Sequence, residues 1–367
     1  MKVLSVVGAR PQFVKAAAVS RQLTPSHEEV LVHTGQHYDF ELSGVFFDEL
    51  ALKEPDYHLG VGSSSHARQT AAMMTDIERT VETEQPDVVL VYGDTNSTLA
   101  AALVAAKSSP ALAHVEAGLR SGDRTMPEET NRILTDHSSD LLYAPSADAE
   151  RNLAREGITE GVSVPGDVMY DTLLQVRDRL EDEDPGLDGR IDAPDEYVLA
   201  TVHREKNTTD PDRLAGIVDG LRRLPLPVVL PAHPRTVAAL SEFGLWERAT
   251  DGIEVVDPVG YPTFLRLLLD SYCVVTDSGG VQKEAFYLDT PCLTVRETTE
   301  WTETVDAGWN VLVGADPDRI EDAYYAFGTL PAKPDLYGNG EAARSIVADL
   351  ERRFDRDERR HTAERAR

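Results

Sequence analysis

The sequence predicts an α/β protein made of two doubly wound domains, each with a parallel sheet covered by helices. Three observations predict this fold. Short apolar runs alternate with longer helical patterns in both halves of the chain, the runs are continuously apolar, and 367 residues exceed one ordinary core. We place the first domain at residues 1–170, the second at 171–350, and a charged tail or helix end at 351–367.

In the first domain, five apolar runs have the length and composition of buried strands. A helical pattern at residues 66–82 is typical of the segments between them. Strands that alternate with helices form parallel βαβ units, which are buried on both faces. The runs cover residues 3–8, 30–34, 87–93, 111–117 and 141–145.

The second domain follows an acidic break at 181–195, which contains Pro and Gly, lacks periodicity and is predicted to be a surface loop. Because ligands of such sheets bind outside the carboxyl ends of the strands, we expect the two domains to face each other across a ligand-binding cleft. The strands of this domain are predicted at 197–202, 227–232, 253–257, 272–277 and 291–295.

The composition indicates a soluble, cytoplasmic protein that does not bind nucleic acid or membranes. The chain has 36 Lys and Arg against 64 Asp and Glu, a net charge of −28, which also suggests a high-salt cytoplasm. No run approaches the roughly 18 apolar residues that span a bilayer, and the apolar start is too short for a signal peptide. Cys273 and Cys292 lie in apolar runs and are predicted to be buried thiols rather than disulfide or zinc ligands.

The segment DSGGVQKEA (277–285) predicts an anion site where a strand meets a helix. Ser278, Gly279 and Gly280 would offer backbone N–H groups and a hydroxyl to a phosphate, and Glu284 could bind ribose hydroxyls. The segment lacks the glycine patterns of ATPases and of NAD-binding proteins. The alternative is a plain strand-to-helix turn.

Cations also follow predicted strands. Arg10 and Lys15 in GARPQFVKAA (8–17) are candidates for phosphate binding, with surface cations on a first helix as the alternative. His233 in HPRT (233–236) could donate to a phosphate or a base, or be purely structural.

Carboxylates collect at the ends of two predicted strands. Asp94 ends the run 87–93, Glu116 ends the run 111–117, and Glu128 follows Pro127 in the first turn of a helix. If the two strands are neighbours, Asp94 and Glu116 lie within reach of each other, with Arg120 and Arg132 tempering the charge. Capping and helix-dipole roles are the alternative for Asp94 and Glu128, but together the three acids indicate a proton-handling site.

A histidine is expected opposite these acids. TVHREKN (201–207) follows the first strand of the second domain, so His203 and Arg204 would face the cleft. His203 suits proton transfer or the charge of a leaving group, and a structural histidine is the alternative.

Taken together, these motifs resemble the non-hydrolysing UDP-N-acetylglucosamine 2-epimerase family, with local similarity to its UDP-2,3-diacetamido-2,3-dideoxyglucuronate branch. The resemblance covers residues 3–314 in order. It runs from GARPQFVKAA through TGQHYD, GDTNSTLA, HVEAGLRSGDRTMPEETNR, VPGDVMYD, TVHREKN, HPRT and TDSGGVQKEA to RETTEWTETVDAGWNVLVG.

The resemblance implies a glycosyltransferase-B architecture of two Rossmann-like domains, a UDP-sugar substrate, a homodimer, and no NAD or metal. The implied catalytic residues are Asp94, Glu116, Glu128 and His203. The implied UDP contacts are Arg10, Lys15, Arg204, His233, Ser278, Gly279, Gly280 and Glu284. Residues that match a second, activating UDP-GlcNAc site are Gln36, His37 and Arg68, with Arg204 also linked to that site.

The sugar and the fate of the intermediate leave alternatives open. Glu205 and Gln12 depart from many relatives and agree better with the diacetamido-uronate branch, whose C6 carboxylate would need a cation. A hydrolysing epimerase that releases ManNAc and UDP could use the same acids, whereas the acid cluster argues against a glycosyltransferase or a nucleotide-sugar sensor. The candidate cations for a C6 carboxylate are Arg124, Arg235 and Arg296.

Overall fold

The computed structural model describes residues 1–23, 26–36, 52–183, 194–328 and 330–365. The chain forms two compact units, Met1–Leu174 with Asp335–Arg367 (unit 1) and Gln175–Pro334 (unit 2). Each unit contains one parallel sheet, and among the described residues helices lie between most successive strands. The predicted fold class, two Rossmann-like doubly wound domains, is therefore confirmed.

Unit 1 contains a seven-stranded sheet in the order β3-β2-β1-β4-β5-β6-β7. The strand order reverses between β1 and β4, which pair in parallel. The strands are β1 (Lys2–Val7), β2 (Glu28–His33), β3 (Tyr57–His58), β4 (Val88–Tyr92), β5 (Ala111–Val115), β6 (Leu141–Tyr143) and β7 (Val162–Ser163). The helices described up to Glu183 are α1 (Arg10–Leu23), α2 (His66–Glu84), α3 (Asn96–Ala105), α4 (Pro127–Ser138), α5 (Ala147–Arg155) and α6 (Val168–Glu183).

Unit 2 contains a six-stranded sheet in the order β10-β9-β8-β11-β12-β13, which reverses between β8 and β11. The strands are β8 (Val198–Thr201), β9 (Val228–Pro231), β10 (Ile253–Val256), β11 (Cys273–Thr276), β12 (Cys292–Thr294) and β13 (Asn310–Leu312). The helices are α7 (Glu205–Thr208), α8 (Pro211–Arg222), α9 (Pro234–Glu242), α10 (Trp246–Thr250), α11 (Tyr261–Asp270), α12 (Gly279–Tyr287), α13 (Thr302–Asp306) and α14 (Pro317–Ala326).

The continuous apolar runs arise because both faces of each sheet are covered. Successive side chains of a strand point to opposite faces. In unit 2, Val198 and Ala200 belong to one apolar cluster, whereas Tyr197 and Leu199 belong to another. Each face needs its own apolar residues, so the strand shows no polar alternation.

All ten predicted strands are present, and the structure adds three that the sequence did not reveal. The additional strands β3, β7 and β13 are two or three residues long and lie at the edges of their sheets. Segments of two or three residues are too short for a periodic pattern to mark them as strands. Cys273 and Cys292 are buried free thiols, as predicted, and burial raises the pKa of both. None of the helices in the described ranges is long and apolar enough to cross a membrane.

The end of the chain corrects the predicted domain limits. Residues 335–350 were assigned to the second domain, but the helix α15 (Ala342–Arg365) packs in unit 1. Glu351 accepts a 2.9 Å hydrogen bond from His27, and Asp349 accepts one of 3.2 Å from Tyr143. These contacts join residues far apart in the sequence, so no local sequence pattern predicts that α15 belongs to unit 1. Of the predicted loop 181–195, residues 184–193 lie outside the described ranges, and α6 extends to Glu183.

A buried carboxylate in α6 fixes the start of α15. Asp171 accepts hydrogen bonds from the N–H groups of Ala342 (3.2 Å) and Ala343 (2.7 Å). Burial raises the pKa of Asp171 to about 6, although these two donors oppose the shift. Because the folded pKa lies above the ordinary value of 3.8, the stability that Asp171 contributes is fully present below that value and is lost as the pH rises through about 6.

We expect the variant Asp171→Asn to remove this pH dependence. The free energy of unfolding of the wild type, minus that of the variant, should fall by about 2 to 3 kcal/mol between pH 4 and pH 7. Urea unfolding of both proteins at each pH measures this difference. A difference that does not change with pH would show that Asp171 titrates near its ordinary value.

Candidate active site

In unit 1, one buried side chain joins the two loops at the point where the strand order reverses. The Oε1 atom of Gln12 accepts from the N–H groups of Gly8 (2.8 Å) and Ala9 (3.0 Å), which follow β1. Its Nε2 atom donates to the carbonyl of Tyr92 (2.7 Å) at the end of β4 and to Thr98 Oγ1 (2.9 Å). Ligands of doubly wound sheets bind at this position. The sequence marked Gln12 only as a departure from relatives, so its role was missed.

Asp94 lies on the loop that follows β4. Its carboxylate pairs with the guanidinium of Arg132 from α4, while 29% of its side chain stays exposed. The N-cap of α3 is Thr95, whose hydroxyl accepts from the N–H of Thr98. The alternative role of Asp94 as the cap of this helix is therefore filled by another residue, and its carboxylate is held at the rim of the sheet by a cation.

Glu116 follows β5 at the end of the sheet where Asp94 follows β4. Strands β4 and β5 are paired, with Tyr92 opposite Val115, so the residues that follow them are neighbours. Glu116 has a left-handed backbone conformation (φ +71°), and its carboxylate forms a buried ion pair with the ammonium group of Lys15. Lys15, expected at the UDP phosphates, is thus engaged with an acid in this structure.

The third acid, Glu128, begins α4 with an exposed side chain. Its neighbour Glu129 is buried and accepts from the N–H groups of Ser121 (2.9 Å) and Gly122 (3.0 Å) and from Arg132 (2.6 Å). Burial raises the pKa of Glu129, but these partners outweigh burial and the pKa lies below its ordinary value. Glu129 therefore orders the loop before α4, a role that the sequence did not reveal because two adjacent glutamates look alike.

Of the residues matched to an activating site, Gln36 contacts the helix that follows the Asp94 loop. The side-chain oxygen of Gln36 accepts from the backbone N–H (3.0 Å) and the hydroxyl (2.7 Å) of Ser97 in α3. Arg68 is exposed on α2. His37 lies outside the described residues, and the side chain of Arg10 is likewise not described.

A buried polar network supports the loops that carry both acids. His114 Nε2 lies 2.8 Å from the carbonyl oxygen of Gly93, and its Nδ1 lies 2.7 Å from Asp136. Asp136 also accepts from Gly118 N–H (3.1 Å) and from Arg120 (2.7 Å). Burial raises the pKa of Asp136, but His114 and Arg120 outweigh burial and lower it. Arg120 was expected to temper the charge of the three acids, and the structure instead directs it to Asp136 and Glu156.

We expect Gly118→Ala to destabilise unit 1 by about 2–4 kcal/mol. Gly118 has φ +84°, and a Cβ atom there would lie 2.4 Å from the carbonyl oxygen of Ala149. The left-handed conformation and the backbone clash both disfavour alanine. Gly157→Ala is the matched control, because Gly157 has φ +83° but no atom within 4 Å of the added Cβ, so it should cost only about 1–2 kcal/mol. Equal losses in urea unfolding would rule out the clash.

In unit 2, the predicted anion site lies at the start of α12. Ser278 is the N-cap, and its hydroxyl accepts from the N–H of Val281. At Gly280 an added Cβ would meet no atom closer than Ser278 Oγ at 3.9 Å, so this turn is open. At Gly279 it would lie 2.3 Å from Glu300 Oε1, so the side chain of Glu300 would have to move. Glu284 is buried and accepts a 3.0 Å hydrogen bond from Tyr261.

The predicted histidines of unit 2 lie near each other at the same rim. The ring centroids of His203 and His233 are 6.2 Å apart. His233 is the N-cap of α9, and its Nδ1 accepts from the N–H of Arg235 (3.1 Å). The Arg204 guanidinium lies 4.0 Å from Glu300. His233 thus has the structural role weighed as its alternative, and its exposed ring still borders His203.

The three arginines proposed for a C6 carboxylate have different surroundings. Arg124 and Arg235 are exposed. Arg296 is buried and bonds Glu300 at 3.0 Å, while its Nη1 atom has no hydrogen-bond partner among the described residues. Of the three, Arg296 alone pairs burial with an unused donor.

Comparison with known proteins identifies the family. Residues 21–351 match the sequence model described as UDP-N-acetylglucosamine 2-epimerase. The UDP-2,3-diacetamido-2,3-dideoxy-D-glucuronate 2-epimerase of Pseudomonas aeruginosa is 46% identical, over 95% of this chain and 99% of its own. A UDP-N-acetylglucosamine 2-epimerase homolog of Methanococcus maripaludis is 45% identical, over 95% and 99%.

A solved structure agrees with the sequence relatives. Methanocaldococcus jannaschii UDP-GlcNAc 2-epimerase in complex with UDP-GlcNAc and UDP is 40% identical, with a TM-score of 0.87 over 95% of this chain and 99% of that one. The resemblance drawn from the motifs, and with it the prediction of an isomerase, is confirmed. The chain belongs to the UDP-N-acetylglucosamine 2-epimerase family.

Proposed function

We propose that the protein interconverts UDP-GlcNAc and UDP-ManNAc without hydrolysis, by elimination and re-addition of UDP. The observation that carries this proposal is the placement of Asp94 and Glu116. They follow neighbouring strands beside the reversal of the strand order, and each is held by a cation from another element. Two carboxylates fixed at one rim can serve as the base and the acid for the proton on C2.

The chemistry explains why acids are needed. The hydrogen on C2 of GlcNAc is not next to a carbonyl, so a base cannot remove it directly. When the C1–O bond breaks, UDP leaves with the electron pair and C1 gains oxocarbenium character, which acidifies C2–H. A carboxylate takes the C2 proton, and a glycal and UDP result.

The reverse steps give the epimer. A carboxylic acid delivers a proton to the opposite face of C2, and a phosphate oxygen of UDP adds to C1. We propose that Asp94, Glu116 and Glu128 share the roles of base, acid and oxocarbenium stabiliser. They act as a coupled set, so no single acid is assigned one role.

Holding UDP between the two half-reactions is the proposed task of unit 2. The open turn at Gly280 and the N-terminus of α12 suit a diphosphate. His203 would assist the departing or returning phosphate. The remaining residues proposed to bind UDP are Arg10, Lys15, Arg204, His233, Ser278, Gly279 and Glu284.

The second candidate is the same epimerisation of UDP-2,3-diacetamido-2,3-dideoxyglucuronate. The relative that acts on this sugar is 46% identical, and Glu205 and Gln12 agree with its branch. Arg296, with its buried and unused Nη1 donor, is the cation that we propose for the C6 carboxylate in this case. A hydrolysing epimerase is the third candidate.

The test is an NMR experiment in deuterated water at high salt. The protein is incubated with UDP-GlcNAc, and in a parallel sample with the diacetamido-uronate. We expect UDP-ManNAc with deuterium at C2 in the first sample. Free ManNAc would indicate the hydrolysing enzyme, and exchange of the uronate alone would indicate the second candidate. No exchange in either sample would contradict epimerisation.

Three further statements remain proposals about the assembled protein. We propose a homodimer, because the resemblance implies one, and a cytoplasmic location, because the acidic composition suits one. We also propose that Gln36, His37 and Arg68 contribute to a second UDP-sugar site. The engagement of Gln36 with the start of α3 supports its link to the Asp94 loop.

A further inference from the structure

Asp277 is a fully buried carboxylate in unit 2 to which the proposed mechanism gives no part. It follows β11 directly and precedes the helix cap Ser278. A buried carboxylate is unfavourable unless hydrogen bonds or charges compensate it. Its partners therefore indicate what this residue holds in place.

All the donors to Asp277 come from the segment that follows the neighbouring strand β8. The backbone N–H of His203 lies 3.1 Å from Oδ1 and 3.0 Å from Oδ2. Oδ2 also accepts from the N–H of Arg204 (2.9 Å) and from Asn207 Nδ2 (3.0 Å). Asp277 thus holds the loop that carries His203 at the point where the strand order reverses. Gln12 has the equivalent role for the loops after β1 and β4 in unit 1.

The carboxylate also faces the ring of His203. Oδ1 of Asp277 lies 3.3 Å from Nδ1 of His203. An ionised carboxylate can only accept hydrogen bonds, so it favours the tautomer in which Nδ1, the nitrogen that faces it, carries the proton. The side chain of His203 is 44% exposed, so part of it is open to solvent.

We infer that Asp277 is a positioning residue that keeps the proton of neutral His203 on Nδ1 and presents Nε2 to the phosphate. This inference rests on the proposed function, in which His203 assists the departing and returning UDP. Asp277 itself touches no substrate in this scheme. The arrangement follows the general logic of a carboxylate that orients a histidine.

The charges around His203 set the expected response to pH. Burial lowers the pKa of His203, the charge of Asp277 opposes this, and His233, Arg204 and Arg235 lower it further, so it lies below its ordinary value. Loss of the negative charge of Asp277 should lower this pKa again.

The first experiment uses the wild-type protein and needs no variant of Asp277. The ¹⁵N NMR signals of the His203 ring are assigned by their loss in His203→Gln. At a pH where the ring is neutral, we expect the proton on Nδ1. A ring with its proton on Nε2 would overturn the inference.

The second experiment uses Asp277→Asn, which keeps the size of the side chain and one oxygen acceptor. We expect kcat to fall by about 10-fold or more, as for loss of an oriented acid or base, with the Kd for UDP changed by less than about threefold. The pKa of His203, read from the same NMR signals, should fall by about half a unit or more. The matched control is Asp270→Asn, since Asp270 is an exposed acid at the end of α11. This variant should leave kcat, the Kd for UDP and the pKa of His203 unchanged.

A double variant separates positioning from general damage. If Asp277 acts through His203, adding Asp277→Asn to His203→Gln should lower kcat by less than about twofold more. Additive losses would contradict the inference. If Asp277→Asn does not fold, the position of the His203 ring proton in the wild type still tests the inference.

The two proposals can fail separately. A proton on Nδ1 and a lowered His203 pKa in Asp277→Asn, in a protein that epimerises neither UDP-sugar, would support the inference about His203 and contradict the proposed function. Epimerase activity in a protein whose His203 ring carries its proton on Nε2 would support the proposed function and contradict the inference about Asp277.

Discussion

Replacing Asp94 by Asn should lower the turnover of UDP-GlcNAc by about 10²- to 10⁴-fold while UDP still binds. The variant keeps the size of the side chain and removes the negative charge that accepts or returns the proton. Arg132 keeps a second partner, Glu129, at 2.6 Å, so the loop should stay in place. The measurements are the rate of UDP-ManNAc formation, the rate of deuterium entry at C2, and UDP affinity by calorimetry.

The matched control for this variant is Asp87→Asn. Asp87 precedes β4 at the opposite end of the same strand, where its carboxylate accepts from the N–H of Lys2 at 2.6 Å. Asp87→Asn removes an equal charge from the opposite end of the strand. Turnover should stay within about twofold of the wild type. Near-normal turnover of Asp94→Asn would remove Asp94 from the mechanism, and a matching loss in Asp87→Asn would show that net charge, not position, matters.

The second large effect is expected for Glu116→Gln, which should impair both stability and turnover. The side chains of Lys15 and Glu116 are only 8% and 6% exposed. Removing one partner of a buried ion pair leaves the other charge uncompensated and costs about 3–5 kcal/mol. Urea unfolding measures this loss, and turnover should fall by about 10²- to 10⁴-fold because a proposed acid or base is gone.

A double variant separates these two effects. Lys15→Met combined with Glu116→Gln removes the uncompensated charge, so it should unfold at a higher urea concentration than Glu116→Gln alone. Its turnover should stay as low as that of the single variant. If the double variant is the less stable of the two, the loss does not come from an unpaired ammonium group, and if its turnover returns, Glu116 has no catalytic role.

The sequence predicted the strands because their pattern is local. The run VVLVY (88–92) is apolar at every position, and β4 is buried on both faces. The order of motifs along the chain was also sufficient to identify the family. Edge strands such as β13 and the packing of α15 within unit 1 were missed, since both depend on contacts between distant residues.

The pairing of charges was the largest gap in the predicted site. Two of the three proposed acids form ion pairs with basic side chains from other elements. Asp94 bonds Arg132, and Glu116 bonds Lys15 from a helix about 100 residues earlier in the chain. Sequence spacing shows which charges exist, and only the fold decides which of them meet.

The sequence alone determined the two α/β units, the acidic surface, and the presence of carboxylates and glycines after strand ends. These properties follow from local periodicity and composition, which act within a few residues. Only the tertiary structure decided that Gln12 and Asp277 each join two loops at a reversal of strand order. The reason is physical, since a buried polar group takes its partners from whatever elements the sheet brings beside it, and that adjacency is set by strand order rather than by distance along the chain.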